Sequence, residues 1–380
     1  MKRLFTIGAL ALTIGLAADA PTMAEMAVGK PAIRSMSALA FGADGTLFVG
    51  DSKGGALYAL NVADTATATW AERFRITDLE SKIAAALGTT ADDVLIHDLA
   101  VHPISHRVYL AVSRGGEQWE SSWNLPNDLA DATILLRIDG DGEIGEVPLG
   151  EVAHARAELP NPVDGAKAHR WKEGLSLRVD TITDLAYADG VVYVAGLSNE
   201  EFASTMWKVP YPFGAGVSAT TLEIYHGAHG AFETHAPIRT FVPYELAGES
   251  HLLAAYLCTP FVTFSTAELE DGKHVKGRTL GEFGSGNYPL DMVVYNKDGK
   301  DRLLIANSQL PLMIIKPEDI ESFEGELLEE PSTYLAGLPY EYRSGAGVQQ
   351  LDLLNDNSFV ALQRLPGGTL DLVTLPVRRF

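Results

Sequence analysis

Cysteine is all but absent from this chain: Cys258 is the single one among 380 residues. One thiol forms no intrachain disulfide, and its single count excludes c-type haem attachment, cysteine-based zinc sites and iron–sulfur clusters. Within LAAYLCTPF, an apolar strand-like run, it reads as a buried thiol. Basic residues are also scarce, 29 Lys and Arg against 50 Asp and Glu, for a formal net charge of −21. No Lys/Arg cluster interrupts that acidity, so no nucleic acid and no anionic membrane surface is expected as a partner; a cation, a small molecule or a basic protein fits better. GxSxG is missing, which speaks against a serine nucleophile elbow. The one GxGxxG, Gly140 to Gly145, sits in a turn between the strand-like runs Thr133–Ile138 and Ile144–Leu149 and opens no helix, which speaks against a bound nucleotide.

Long apolar runs are confined to the start of the chain. Lys2 and Arg3 precede an apolar stretch from Leu4 to Leu16, and Thr22-Met23-Ala24 supplies small residues for cleavage. That pattern predicts a signal peptide over residues 1–24 and an exported protein, periplasmic or secreted. No later run reaches the roughly 18 apolar residues of a spanning helix, so membrane insertion is not expected. The remainder, residues 25–380, reads as one domain.

What is present is a repeat. FGADGTLFVGDSKGGALYAL, from Phe41 to Leu60, alternates strand-like runs with Asp-Gly and Gly-Gly turns. Copies open near Ile96, Ile182, His235, Tyr288 and Gly347, and each holds three or four short strand-like runs rich in Val, Ile, Leu, Tyr and Phe. Hairpin meanders have this grammar. The first unit contains Met36–Phe41, Thr46–Val49, Ala56–Asn61 and Trp70–Ile76, and the fifth ends with Leu327–Tyr334. The sixth has three runs and then stops, while Ala27–Arg34 is left over at the other end. The expected fold is therefore all-β: a six-bladed β-propeller closed by the N-terminal strand completing the last blade, with seven blades if the long second unit merges two. Leu79–Leu87 carries apolar residues at helical spacing and predicts a short helix. Gly115–Ala132 and Val152–Leu175 read as insertions.

In such a ring the openings of the inner strands converge on the axis. They present Ser37, His97 and Asp98, Thr183 and Asp184, His235, Asn287 and Asp291, Gln349 and Gln350. Imidazole and carboxylate together suit zinc, copper, iron or manganese, whereas all-oxygen sets suit calcium. His97 and Asp98 are neighbours on a strand and so are expected to face opposite ways. HGAHGAFETH gathers His226, His229 and His235 within ten residues around Glu233. The candidate metal ligands are thus His97, Asp98, Asp184, His226, His229, His235, Asn287 and Asp291, for one divalent ion (Zn, Cu or Ca).

FGADGTLFVGDS and GNYPLDMVVYNKDGKDRLLIANS resemble secreted propellers of the NHL-repeat, gluconolactonase- or strictosidine-synthase-like and quinoprotein amine dehydrogenase heavy-chain-like kinds. The gluconolactonase-like likeness implies an axial divalent cation held by a Glu, two Asn and an Asp, with Asn287 and Asp291 standing for part of that set. The first repeat opens RSMSALAF without that Glu, and the third has Asp184 where an Asn is expected. Two functions follow: a propeller binding a ligand, metal or partner at the mouth of its channel, or a metal-dependent hydrolase, lactonase or oxidoreductase with an axial His/Asp site.

Overall fold

The chain is described from a computed structural model that covers residues 26–114, 133–170, 176–258 and 260–380. The proposed leader and the whole Gly115–Ala132 insertion, with its two tryptophans, lie outside the described residues. Six sheets form the blades, antiparallel throughout except where His274–Lys276 runs parallel to Thr221–Glu223. Their inner strands are Ala38–Phe41, Val94–Val101, Asp184–Ala188, Ile238–Leu246, Pro289–Lys297 and Val348–Asn355, which define blades one to six in chain order. Leu79–Leu87 is a helix, as its spacing predicts. Among the described residues no helix is long and apolar enough to cross a membrane.

The blades do not follow one another around the axis in chain order. Inner strands neighbour each other in the sequence one, three, four, five, six, two and back to one. The core has the same order, because a blade buried on both faces needs an apolar layer on each side. Leu39, Tyr58 and Tyr109 pack between blades one and two, and Phe48, Leu57 and Trp207 between blades one and three. Leu99 and Val108 meet Val360 and Leu372 between blades two and six, with the helix residues Leu79 and Ile83 in the same layer.

The reordering comes from one excursion. After its third strand, Ala56–Asn61, blade one releases the chain, and Arg75–Ile76 then adds a fourth strand to blade six against Leu372 and Val373. The helix follows, blade two is built, and Val152–Glu158 returns to pair with Ala56–Asn61 as the fourth strand of blade one. The ring is therefore closed by residues 75–76 and not by the N-terminus. Ala27–Gly29 instead forms a short fifth strand on blade one, paired with Val152–His154. Trp70–Ile76 does not complete blade one, and the start of Val152–Leu175 is a blade strand and not an insertion. Similarly, Leu327–Tyr334 does not finish blade five: Glu341–Arg343 does, while Leu335–Gly337 extends blade four. In each case the edge that accepts a strand is a tertiary choice.

The closing segment is pinned by Asp371, which is almost fully buried and accepts Arg75 Nε at 2.7 Å and the Asp78 amide at 2.9 Å. Replacing Asp371 with alanine leaves that amide without its carboxylate partner, and a loss of about 1–3 kcal/mol is expected. A lower urea midpoint would report it; an unchanged midpoint would show that the closure does not depend on this anchor.

Candidate functional site

Two constellations open on the same rim, where inner strands begin and outer strands end. The first lines the axial channel, a cavity of about 60 Å³ bounded by Ser37, His97, Asp98, Thr183, Asp184, Arg239, Thr240, Leu290, Asp291 and Gln350. That is space for roughly four waters. His97 and Asp98 both reach it, contrary to the pleat argument, because a β-bulge between Ile96 and Asp98 inserts His97 as an extra residue. Equivalent bulges occur at Ile238/Thr240, Pro289/Asp291 and Val348/Gln350.

The channel aspartates are staples between blades. Asp98 accepts the amide of Leu99 on its own strand at 2.8 Å and that of Leu39 on blade one at 2.6 Å. Asp184 does the same with Leu185 and with Phe241 of blade four, and Asp291 with Met292 and with Leu351 of blade six. A fourth staple, Asp352, bridges from Leu353 to Val101 of blade two. All four run in one sense around the ring. Burial, with Asp184 nearby, pushes the Asp98 carboxyl up to about 8. Burial also raises Asp184 and Asp352 to about 6, and lifts Asp291, which also faces Asp98, well above the usual range. It pulls His97 down to about 4, and that imidazole's Nε2 is already bonded to Ser113 Oγ at 2.8 Å.

The second constellation sits on the rim at the boundary of blades three and four. The outer strand Ser218–His226 turns back through Gly227–His229 into Ala231–Glu233, with Ile224 opposite Glu233 and His226 opposite Ala231. Gly230 adopts φ 60°, a left-handed conformation that glycine accepts without strain and that lets this hairpin close. The register puts Glu233 on the face of His226. Its carboxylate bridges both imidazoles, Oε2 to His226 Nδ1 at 2.9 Å and Oε1 to His229 Nδ1 at 2.6 Å. Burial works against that carboxylate's charge, but the two imidazole hydrogen bonds outweigh it and hold Glu233 below the usual range. The rings lie 3.9 Å apart between centroids.

Cys258 lies in the turn between the second and third strands of blade four, at φ 62°, half-buried, and its Sγ accepts the Gly286 amide at 3.4 Å. One ligand atom from each of His226, His229 and Cys258 falls within 4.8 Å of the other two. His226 is 2% exposed and its Nε2 has no hydrogen-bond partner. Glu282, at the end of blade four's fourth strand, abuts the turn, with Oε1 accepting the Gly227 amide at 2.5 Å. A Cβ at position 227 would stand 2.9 Å from Glu282 Cγ, so glycine is what admits this carboxylate. Burial raises Glu282 to about 7.

The eight residues singled out from sequence therefore divide. His97, Asp98, Asp184 and Asp291 meet in the channel, and His226 and His229 meet on the rim. His235 is exposed and bonds Thr234 Oγ1, outside the rim cluster. Asn287 is buried and structural: its Nδ2 donates to Asn307 Oδ1 at 2.9 Å, and its Oδ1 accepts the Gln309 amide. Cys258, Glu233 and Glu282 complete the rim site. A single cysteine excludes sites built from several thiolates, not one that mixes a lone thiolate with two imidazoles. Blade geometry was the missing signal, because the turn between strands two and three of one blade lies beside the last loop of the blade before it.

No protein-family model matches the chain, and no curated protein matches it. Among solved structures it is similar to the extracellular domains 1–2 of Drosophila Semaphorin 1b, at 10% identity over 93% of this chain and 87% of that one, with a TM-score of 0.36. The full extracellular region of Plexin A4 gives 7% identity, 93% and 40% coverage and a TM-score of 0.40. The extracellular domain of a one-component system from B. thetaiotaomicron gives 8%, 93%, 40% and 0.35. Likeness at this level says nothing about ligand or activity.

Proposed function

We propose that this chain is a metal-binding propeller whose centre is His226, His229 and Cys258, on the rim that carries the channel mouth. The observation behind this reading is the convergence of one ligand atom each from His226, His229 and Cys258 within 4.8 Å, in a cluster where the buried His226 Nε2 has no partner. Glu233 takes both Nδ1 atoms, which leaves both Nε2 lone pairs for a metal; ligating histidines are commonly oriented this way. Two imidazoles and a thiolate form a borderline-soft set, which selects Zn(II) or copper over Ca(II). Metal–ligand bonds of about 2.0–2.3 Å place such atoms roughly 3.5 Å apart, so binding draws the three side chains inward.

The test is metal analysis of the full chain, with competition titration for affinity. One zinc per chain is expected, and a thiolate-to-cobalt charge-transfer band after Co(II) loading. Cys258→Ser and His226→Ala should each weaken binding by more than about 100-fold, and Glu233→Gln by about 10–100-fold. Sub-stoichiometric metal in the wild type, or wild-type affinity in Cys258→Ser, would overturn the proposal.

A further inference from the structure

Glu282 is 1% exposed, makes no ion pair among the described residues, and has one oxygen satisfied and one orphaned. Oε1 accepts the Gly227 amide, whereas Oε2 is buried without any hydrogen-bond partner. Two orphaned buried atoms thus flank one residue, Gly227: the Nε2 of His226 and the Oε2 of Glu282. Buried polar atoms left unmatched in this way call for a missing partner. Glu282 stands outside the cluster of three converging ligand atoms, so a metal held by them would reach it through an intervening molecule. A water on the metal would fill the fourth position of a three-ligand site and donate to Oε2, satisfying the carboxylate.

Resting on the metal reading above, we infer that the rim centre is an open, water-activating one and that Glu282 takes the proton of the bound water. His229 keeps half of its side chain exposed, so the centre is accessible. Leu257, beside Cys258, and Tyr288 and Tyr334 of the neighbouring loops are exposed apolar side chains on the same rim. Glu233 and Glu282 disfavour anionic ligands. These features select an uncharged acyl ester with a small apolar acyl group. The water proton passes to Glu282 Oε2, and the water oxygen forms the new C–O bond to the acyl carbon. The carbonyl electron pair moves onto oxygen beside the metal. Collapse breaks the bond to the alkoxy leaving group, which takes the proton back from Glu282. Ester and water give acid and alcohol, with no oxidant or reductant.

The test uses the zinc-loaded full chain with 4-nitrophenyl acetate, and the Co(II)-loaded chain with acetohydroxamate. Zinc should raise hydrolysis above the metal-free protein. Glu282→Gln, which keeps an acceptor for Gly227, should lower kcat by about 10²–10⁴-fold with KM and zinc affinity within tenfold of wild type. Acetohydroxamate should shift the visible bands of the Co(II) protein, reporting an exchangeable position. Stoichiometric zinc with no hydroxamate shift, or with unchanged hydrolysis in Glu282→Gln, overturns this inference and leaves the metal site standing. Failure to bind metal overturns both.

Discussion

Asp64→Ala is expected to lower the unfolding free energy by about 3–5 kcal/mol, the range seen when one partner of a buried ion pair is removed. Asp64 is where the chain leaves blade one for its excursion, and its side chain is fully buried. It accepts Ser105 Oγ at 2.9 Å, Tyr109 OH at 2.8 Å and Arg107 Nη1 at 2.5 Å, all from blade two. Alanine removes the acceptor for all three at once. Arg107 keeps Asp139, and the Tyr109 hydroxyl, whose ring lies in a buried layer with Phe41 and His102, is left with Arg137. His102 belongs to the same layer: it is buried and accepts two amides through Nδ1, although its turn position reads as surface. Equilibrium unfolding in urea gives the number. Asp64→Asn, which keeps an acceptor but no charge, should fall between. A loss under about 1 kcal/mol for the alanine variant would mean that the excursion is held by packing alone.

The second large effect is on pH. The unfolded chain loses its aspartate protons near pH 4, whereas the folded chain keeps one on Asp98 up to about 8 and on Asp184 and Asp352 up to about 6. Where the folded state holds more protons, stability falls as pH rises. Stability should therefore increase as pH is lowered from 8 toward 6.5, by about 2 kcal/mol from Asp98 alone. Asp291, raised by the same burial, and Glu282, raised to about 7, act in the same direction. Below about 6.5 His97 opposes the trend, since its imidazole stays neutral in the folded chain down to about 4 while the unfolded one takes a proton. A single imidazole against several raised carboxyls lessens the slope without reversing it, so these groups keep raising stability until the unfolded aspartates take up protons near pH 4. Arg239, exposed at the channel mouth, faces Asp184 and moderates the repulsion. Thermal or urea unfolding across pH 5–8 measures the profile, and Asp98→Asn should flatten its alkaline limb. An unchanged slope in that variant would remove Asp98 as its source.

The two effects separate the roles of carboxylates in this molecule. Asp64 is an ionised tie at the edge of the ring, held charged against its burial by the hydrogen bonds of Tyr109, Ser105 and Arg107. The channel aspartates tie inner strands together through backbone amides, and do so with least strain when some are protonated. The rim cluster differs in that its unpaired atoms, His226 Nε2 and Glu282 Oε2, are those a metal and its water would satisfy.

The sequence by itself determined the all-β class, the number of blades, the starts of the inner strands, the helix at Leu79–Leu87 and the density of histidine around Glu233. Each is written in local pattern: period-two apolar runs, Asp-Gly turns, helical spacing. Only the tertiary structure decided which edge accepts a strand, so that residues 75–76 close blade six and residues 152–158 return to blade one. A period-two run records that both faces are covered, not which neighbour covers them. Only the tertiary structure, through a bulge, turned His97 and Asp98 toward one channel. It also carried Cys258 and Glu282 to His226 and His229, because rim loops from adjacent blades meet in space while remaining about 30 and 55 residues apart in the chain.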